Sequence, residues 1–491
     1  MEFISGAERE QLLFLPDCVD DYVGDENVVR VIDAYANSLD MRALGFSRPE
    51  PHDTGRPMYD PRDLLKLYIY GYMNRVRSSR RLEAETKRNL EVIWLLGKPS
   101  PDHKTIANFR RDNAVALKNV FRNFVRLCVK LGLYGRELVA IDGSKFKAVN
   151  SKDRNFNEKK LQERIQRLES RIEEYLREMD SSDTEEAVAA DKKSAEEIAG
   201  IVAELAARKE RYQSYAQELA QTGEAQKSLT DPDSRLMMAN GKMDICYNVQ
   251  TAVDSAYNLV AEFEVTNSTF DYNQLTPMAV RAKETLQAEG FSAVADAGYD
   301  IAQDIVAGIL QGIDVHVAGA EFDVCIPAQE LPDAEIHAHK NGRCLYIADR
   351  NIALCPMGRV LYPGYYKKTK GLGMFYNAPA CSNCTCRCTK GVRYRRHEVA
   401  MPESAFTKTY NDENLRIKQI HIAPDPKRVR QRKCIVEHPF GTVKRSMDAG
   451  YCLTKGLQSV SGEFSLAFLA YNFKRAVNIL GTKKLVEYMA A

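Results

Sequence analysis

The chain has 491 residues, 44% of them hydrophobic and 28% charged, with a formal net charge of +2. That length exceeds one ordinary core and predicts two or three packed units. No apolar stretch approaches the roughly 18 to 20 residues that span a bilayer, and MEFISGAEREQ has no basic segment leading into an apolar run, which sets the expectation of a cytoplasmic protein. Some of the cysteines stand singly (Cys18, Cys128, Cys246) and others crowd between Cys355 and Cys388, a distribution that suits a reduced compartment better than a secreted disulfide scaffold.

Charge is segregated along the chain. Asp60 to Lys130 carries 16 basic against 7 acidic side chains, whereas Asn157 to Ala225 carries 11 against 17. The first segment is a candidate footprint for a polyanion, and the bland alternative is a solvated basic face.

Residues 1–135 read as helical. Pro61 opens a helix at DPRDLLKLYIYGYM, and SSRRLEAETKRNLEVIWLL reads as a second run. After a turn at Gly97-Lys98-Pro99, SPDHKTIANFRRDN predicts a helix capped by Ser100 or Asp102. Ile106 and Phe109 face inward, and Lys104, Asn108, Arg110 and Arg111 stay available outside. Helix, turn and basic helix are compatible with helix-turn-helix reading of DNA, and equally with a small helical bundle whose exposed faces are basic.

ELVAIDGSKFKAV then predicts a strand ending at Asp142. An insertion over 157–225 follows, in which Leu161, Ile165, Leu168, Ile172 and Tyr175, and later Ile198, Ile201, Leu205, Tyr212, Tyr215 and Leu219, keep a heptad rhythm. Its simplest form is an antiparallel coiled-coil hairpin, acidic outside and so suited to spacing or protein contacts. From Met243, DICYNVQTAVD, NLVAEFEVTNS and SAVADAGYD read as strands and TPMAVRAKETLQAEG as a helix, so that 136–156 and 226–314 form the first parts of an α/β core with a mixed sheet and flanking helices. Residues 315–425, rich in Gly, Pro and Cys with short strands, read as a small Cys-rich insertion, and 426–491 return to helices and complete the core.

Three acidic islands carry the chemistry. Asp142 follows LVAI and Asp296 follows FSAVA, with Asp300 as an alternative beside it. Each could instead be an Asp that starts a turn. Glu437 lies in RQRKCIVEHPFGTVKR, where Val436, Phe440 and Val443 form an inward stripe and Pro439 predicts a helix start near Glu437. Lys444, two turns on, would share its face, and an exposed surface pair is the plain alternative. His438 beside it reads as structural. Three carboxylates brought together could hold two Mg²⁺ ions (or Mn²⁺) about 3.5 to 4 Å apart for in-line displacement at phosphorus. Cys355, Cys381, Cys384 and Cys388 have spacing suited to a tetrahedral structural Zn²⁺, with Cys386 able to replace Cys388 and a cluster of reduced thiols as the alternative.

Taken together, YDPRDLLKLYIYGYMNRVRSSRRLE, PSPDHKTIANFRR, IDGSKFKAVNS, DAGYD and VEHPFGTVKR followed by FSLAFLAYNFKRAVNIL resemble the DDE transposases of bacterial insertion sequences, in the branch with an InsH-like N-terminal domain. The resemblance implies an RNase H-like core in which Asp142, Asp296 and Glu437 bind the metals, interrupted by an insertion before the third carboxylate. Members of the family commonly carry Tyr, Arg, Glu and Lys at fixed spacing on the last helix; here those positions hold Arg430, Lys433, Glu437 and Lys444. Lys lacks the bidentate fork of Arg. The activity implied is binding of terminal inverted repeats, metal-dependent cleavage at the element ends and strand transfer into target DNA. Lys104, Arg110 and Arg111 would contact DNA, at least two chains would pair two ends, and the protein would work on the nucleoid. A catalytically inactive DNA-binding protein and a nuclease without strand transfer are the rival expectations.

Overall fold

The computed structural model describes residues 18–50, 58–182, 195–239, 241–328, 334–339, 342–382, 384 and 396–490. The N-terminal region is helical: α1 Val28–Asn37, α2 Pro61–Met73, α3 Ser79–Arg88, α4 Leu90–Leu96, α5 His103–Asp112 and α6 Ala114–Lys130. Pro61 does open α2, because its missing N–H is one the first turn leaves unbonded anyway, and the Asp60 carboxylate accepts from Arg62 N. The run expected as one helix is two. Asn89 interrupts it, and its side chain accepts from Glu91 N and Val92 N to start α4 afresh. Gly97 and Lys98 both turn through positive φ (64° and 81°), and Asp102 caps α5 by accepting from Lys104 N and Thr105 N.

The main sheet, six-stranded among the described residues, contains β1 Leu138–Lys147, β2 Arg235–Ala239, β3 Lys242–Asp254, β4 Val260–Thr266, β5 Ser292–Ala295 and β6 Asp314–Val317. β3 pairs antiparallel with β1 along one edge and with β2 and β4 along the other. β1 pairs parallel with β5, and β5 parallel with β6. This is a mixed sheet in a mixed α/β protein. Between β1 and β2 the chain leaves the sheet as two long helices, α7 Glu158–Ser182 and α8 Ala195–Thr222. They pack through Leu161, Leu168, Leu205, Tyr212 and Leu219, and Lys209 of α8 pairs with Glu169 of α7 at 3.0 Å. α9 Leu275–Leu286 joins β4 to β5, and α10 Ala302–Leu310 joins β5 to β6.

After the sheet, β7 Phe322–Pro327 opens the insertion. An antiparallel meander of β8 Ala334–His339, β9 Gly342–Ile347, β10 Ile352–Leu354, β11 Val360–Lys367, β12 Leu372–Tyr376 and β13 Arg396–Ala400 follows, and β14 Ile417–Ile422 returns to pair with β7. Short strands suffice here because the insertion builds its own small apolar clusters, one around Phe375 and Leu361 and one around Ile352 and Leu354.

The C-terminal helices are α11 Pro426–Gly441, α12 Leu457–Leu480 and α13 Thr482–Ala490. α11 corrects the expectation that its helix starts near Glu437. Asp425 caps it by accepting from Lys427 N and Pro426 takes the first turn, so the start signal lies at Pro426, while Pro439 sits inside the helix. Pro439 has no N–H to give to the preceding turn, and the helix then widens into a π turn over Thr442–Ser446. The inward stripe of Val436, Phe440 and Val443 is buried as the spacing predicts.

α12 is the central pillar. It is buried along most of its length and packs against α6, α2 and β4, so that one apolar core runs from the N-terminal helices through the sheet. Within this core lies a charged pair. Arg77 Nη1 lies 3.1 Å from Glu463 Oε1, the two side chains being 4% and 3% exposed. Arg77 also donates to Tyr451 O and stacks on the Tyr451 ring, and Glu463 accepts from Leu453 N, Thr454 N and Thr454 Oγ1. Removing one partner strands the other charge, so Arg77→Ala is expected to lower unfolding free energy by about 3–5 kcal/mol in urea melts; a loss below about 1 kcal/mol would show that the pair is solvated.

Candidate active site

Val139, Ala140 and Ile141 are fully buried in the centre of the sheet, and Asp142 follows them. The expectation that the strand ends at Asp142 is corrected, since β1 continues to Lys147 against β3. What ends there is the parallel half of the pairing. Val139 faces Ala293 and Ala140 faces Val294, and two further residues on each strand bring Asp142 opposite Asp296, just after β5 stops. Adjacent strands lie about 4.8 Å apart, so this register alone sets two carboxylates side by side.

Backbone amides orient both groups. Asp142 Oδ1 accepts from Gly143 N and Asp296 Oδ1 from Gly298 N, each at 2.9 Å. The two Oδ2 atoms converge on one cation, Arg432 Nη1, at 3.1 Å from Asp142 and 3.8 Å from Asp296. Burial pushes the Asp142 carboxyl up to about 6; Arg432 opposes the rise and the neighbouring Asp296 adds to it.

A second polar layer supports the pair. Asp271, on the loop before α9, accepts from Lys145 Nζ at 3.1 Å, Asn248 Nδ2 at 2.8 Å and Gln250 Nε2 at 2.7 Å. The buried Tyr299 hydroxyl donates to Gln250 Oε1, which ties the turn after Asp296 to the same group. Gly143 lies against this layer, and a Cβ there would overlap the Gln250 amide and the Asp271 carboxylate. Sequence reading missed Arg432, Asp271, Asn248 and Gln250. Arg432 had a signal, since it lies three, four and seven residues before the buried Ile435, Val436 and Pro439 and so on their helix face. The others come from strand and loop positions with no motif.

Glu437 is not brought to the pair. Its side chain is 65% exposed and lies 3.8 Å from Lys433 Nζ, one turn earlier on the outer face of α11. Lys444 points inward from within the π turn, donating to Ser144 Oγ at 2.6 Å and Lys145 O at 3.0 Å over the Phe146 ring. Burial lowers its pKa, partly offset by the neighbouring Cys246 and Asp142. Arg430 is exposed. His438 hydrogen-bonds to Tyr471 Oη at 2.8 Å, as a structural histidine would. Asp300 lies 3.7 Å from Arg343 and outside the Arg432 contact.

On α5, Lys104 and Arg111 are exposed, the latter paired with Asp112 at 2.8 Å. Arg110 corrects the expectation of an outward position. It is buried, with Nη1 donating to Tyr72 Oη and its guanidinium over the Tyr68 ring, because it follows Phe109 on the face that packs against α2. Cys355 is buried, Cys381 and Cys384 are half-buried, and Cys384 N donates to Cys381 O across their turn. Cys386 and Cys388 lie outside the described residues. Among the described residues no three His, Cys, Asp or Glu side chains are grouped to hold a metal ion, and no helix is long and apolar enough to cross a membrane.

Two family models match the chain. A transposase domain (DUF772) covers residues 17–112, and a transposase DDE domain covers 354–477, including the helix that bears Arg432 and Glu437. Together they identify the chain as a DDE transposase of an insertion sequence. No curated protein and no solved structure matches it.

Because the Asp142 carboxyl sits near 6 in the folded chain against an ordinary 3.8, its protonation stabilises the fold at low pH, and that contribution is lost as pH rises through about 6. Asp142→Asn is therefore expected to be more stable than the parent by roughly 2–3 kcal/mol at about pH 7.5, and close to it at about pH 4, in urea melts with chelator. A parent protein equal or superior at the higher pH would contradict the burial argument.

Proposed function

We propose that the protein binds the terminal inverted repeats of its own element, cleaves phosphodiester bonds at the element ends and joins the freed 3′-hydroxyls to target DNA. The observation that carries this reading is the side-by-side placement of Asp142 and Asp296 at the end of the parallel pairing, facing the helix that bears Glu437, in a chain with two transposase matches. The strand order, four antiparallel strands (β1 to β4) joined to two parallel ones (β5 and β6) with α11 alongside, supports an RNase H-like core.

DDE transposases generally use divalent metals, and the donor set can be tested for fit. Two carboxylate oxygens already converge on one positive centre, the Arg432 guanidinium, and hard oxygen donors suit Mg²⁺ or Mn²⁺. Asp142 and Asp296 would hold such ions, and Glu437, which lies on the outer face of α11 here, would join them only if that helix turned toward the pair. When bound, two ions would activate the attacking oxygen and stabilise the leaving one. The chain's own residues supply the rest: the Gly143 and Gly298 amides fix the carboxylate rotamers, and the Asp271 layer holds the turn after Asp296. Arg432, released from the carboxylates, is placed to meet a phosphate with its fork. The exposed Lys104 and Arg111 of α5 and Arg430 and Lys433 of α11 would contribute phosphate contacts, and pairing two ends calls for at least two chains. Any zinc would be structural, held by Cys355, Cys381, Cys384 and Cys388.

A second reading, a DNA-binding protein without catalysis, is favoured by one observation, the solvent-facing Glu437. Purified protein with DNA bearing the native element ends and Mg²⁺ separates the readings. Strand joining is expected from the parent and is expected to fall at least about 1,000-fold in Asp142→Ala and Asp296→Ala with end binding kept. Tight end binding without cleavage by the parent would support the second reading, and nicks without joined product would indicate a nuclease.

A further inference from the structure

α11 is fastened at both ends in the orientation that aims Arg432 at the carboxylate pair. At its start Asp425 N donates to His316 Nδ1 at 3.1 Å, and Arg428 Nη1 donates to Ser292 Oγ and Asp314 Oδ2. Beyond its last residue Lys444 donates to Ser144 Oγ and Lys145 O. Between these points Ile435 and Val436 are buried, and the Arg432 side chain is itself only 18% exposed. Among the described residues its two ion pairs are with Asp142 and Asp296. The same Oδ2 atoms are those a divalent ion would take, at about 2.1 Å for Mg²⁺, so guanidinium and metal compete for one place. The Asp296 side chain is 41% exposed, which leaves the pair open to an ion from that side.

Resting on the transposase reading above, we propose that Arg432 is an interlock: it holds the metal position closed in the free protein and gives it up when a DNA phosphate takes the guanidinium. Two adjacent carboxylates need a cation, and Arg432 supplies one when metal is absent. Displacement by metal alone would forfeit two charge-assisted contacts and leave a part-buried cation without a counter-charge. Glu437 is no substitute: five residues on, it is outside the i+3 and i+4 positions that meet on a helix, and it lies beside Lys433. Two oxygens of a phosphate match the planar fork. Metal and DNA end thus each favour the form of the protein that the other binds, and the carboxylates do not load metal away from an element end.

The test measures Mn²⁺ binding to the full chain by loss of the free-ion EPR signal, with binding to DNA alone subtracted. The DNA is the native element end with a methylene in place of the 3′ oxygen at the scissile phosphate, which keeps the charge and prevents cutting. Without DNA, Arg432→Gln is expected to bind Mn²⁺ at least about tenfold more tightly than the parent, and Asp142→Asn in that background should abolish the binding. Arg432→Lys, which keeps a cation on the pair, should stay as weak as the parent. Lys433→Gln, which removes a cation that does not touch the pair, should shift the affinity less than about threefold. DNA is expected to tighten Mn²⁺ binding by the parent, and to do so less in Arg432→Gln by the factor gained without DNA, whereas a phosphate that only ligates metal would help both proteins equally. Equal affinity of parent and Arg432→Gln without DNA, or an equal gain from DNA in both, would overturn the interlock and leave the catalytic reading standing. Mn²⁺ bound by neither protein, with or without DNA, would overturn both. If Arg432→Gln does not fold, an end with an uncharged methylphosphonate at the scissile position decides on the parent: the gain from DNA should vanish, and a gain that survives would overturn the proposal.

Discussion

The parallel pairing of β1 with β5 is the constraint on which the proposed site depends. Val139, Ala140 and Ile141 are locked in the sheet by burial, and their register against Ala293 and Val294 leaves the next polar residues, Asp142 and Asp296, no choice but to be neighbours. β5 then ends while β1 runs on against β3, so the pair lies where the parallel pairing opens. The carboxyl ends of parallel strands are where α/β sheets usually place their ligands. A slip of one residue would send one carboxylate to the opposite face and separate the pair.

Two carboxylates forced together in a partly buried place need positive charge, and the rest of the site follows from how that need is met. Arg432 reaches both from the buried face of α11. Lys145 neutralises Asp271 one layer back. The other cations of this region have different work: Lys433 pairs with Glu437 on the outside of α11, and Lys444 fastens the end of that helix to β1. Arginine suits position 432 because one planar fork can serve two oxygens and still present donors to a phosphate, which an ammonium does less well.

Much of this was legible in the sequence. Pro61, Asp102 and the turn at Gly97 marked helix boundaries by local chemistry, and the hairpin over α7 and α8 showed its apolar spacing. Asp142 and Asp296 stood out as acids after buried strands. Reading failed where tertiary context decides. Arg110 looked like a surface cation, but Tyr68 and Tyr72, far away in sequence, take it inside. Pro439 looked like a helix start, but Asp425 and Pro426 had already begun one, and the π turn that follows rotates Lys444 away from the face of Glu437. Asp271 carried no motif; its place beside Gly143 is set by β3 and the loop before α9. The link between Arg77 and Glu463, which joins the N-terminal helices to α12, is likewise invisible until the fold brings them together.

The central claim is that the register pair of Asp142 and Asp296, completed by Glu437, is the metal site. Iron-directed cleavage tests it most directly: Fe²⁺ replaces the ion in the end-bound protein, and ascorbate with peroxide cuts the backbone near where iron sits. The account predicts cuts beside Asp142, Asp296 and Glu437 that excess Mg²⁺ suppresses and that Asp142→Asn abolishes. Cuts confined to the cysteine-rich insertion, or cuts at Asp296 that survive in Asp142→Asn, would contradict it.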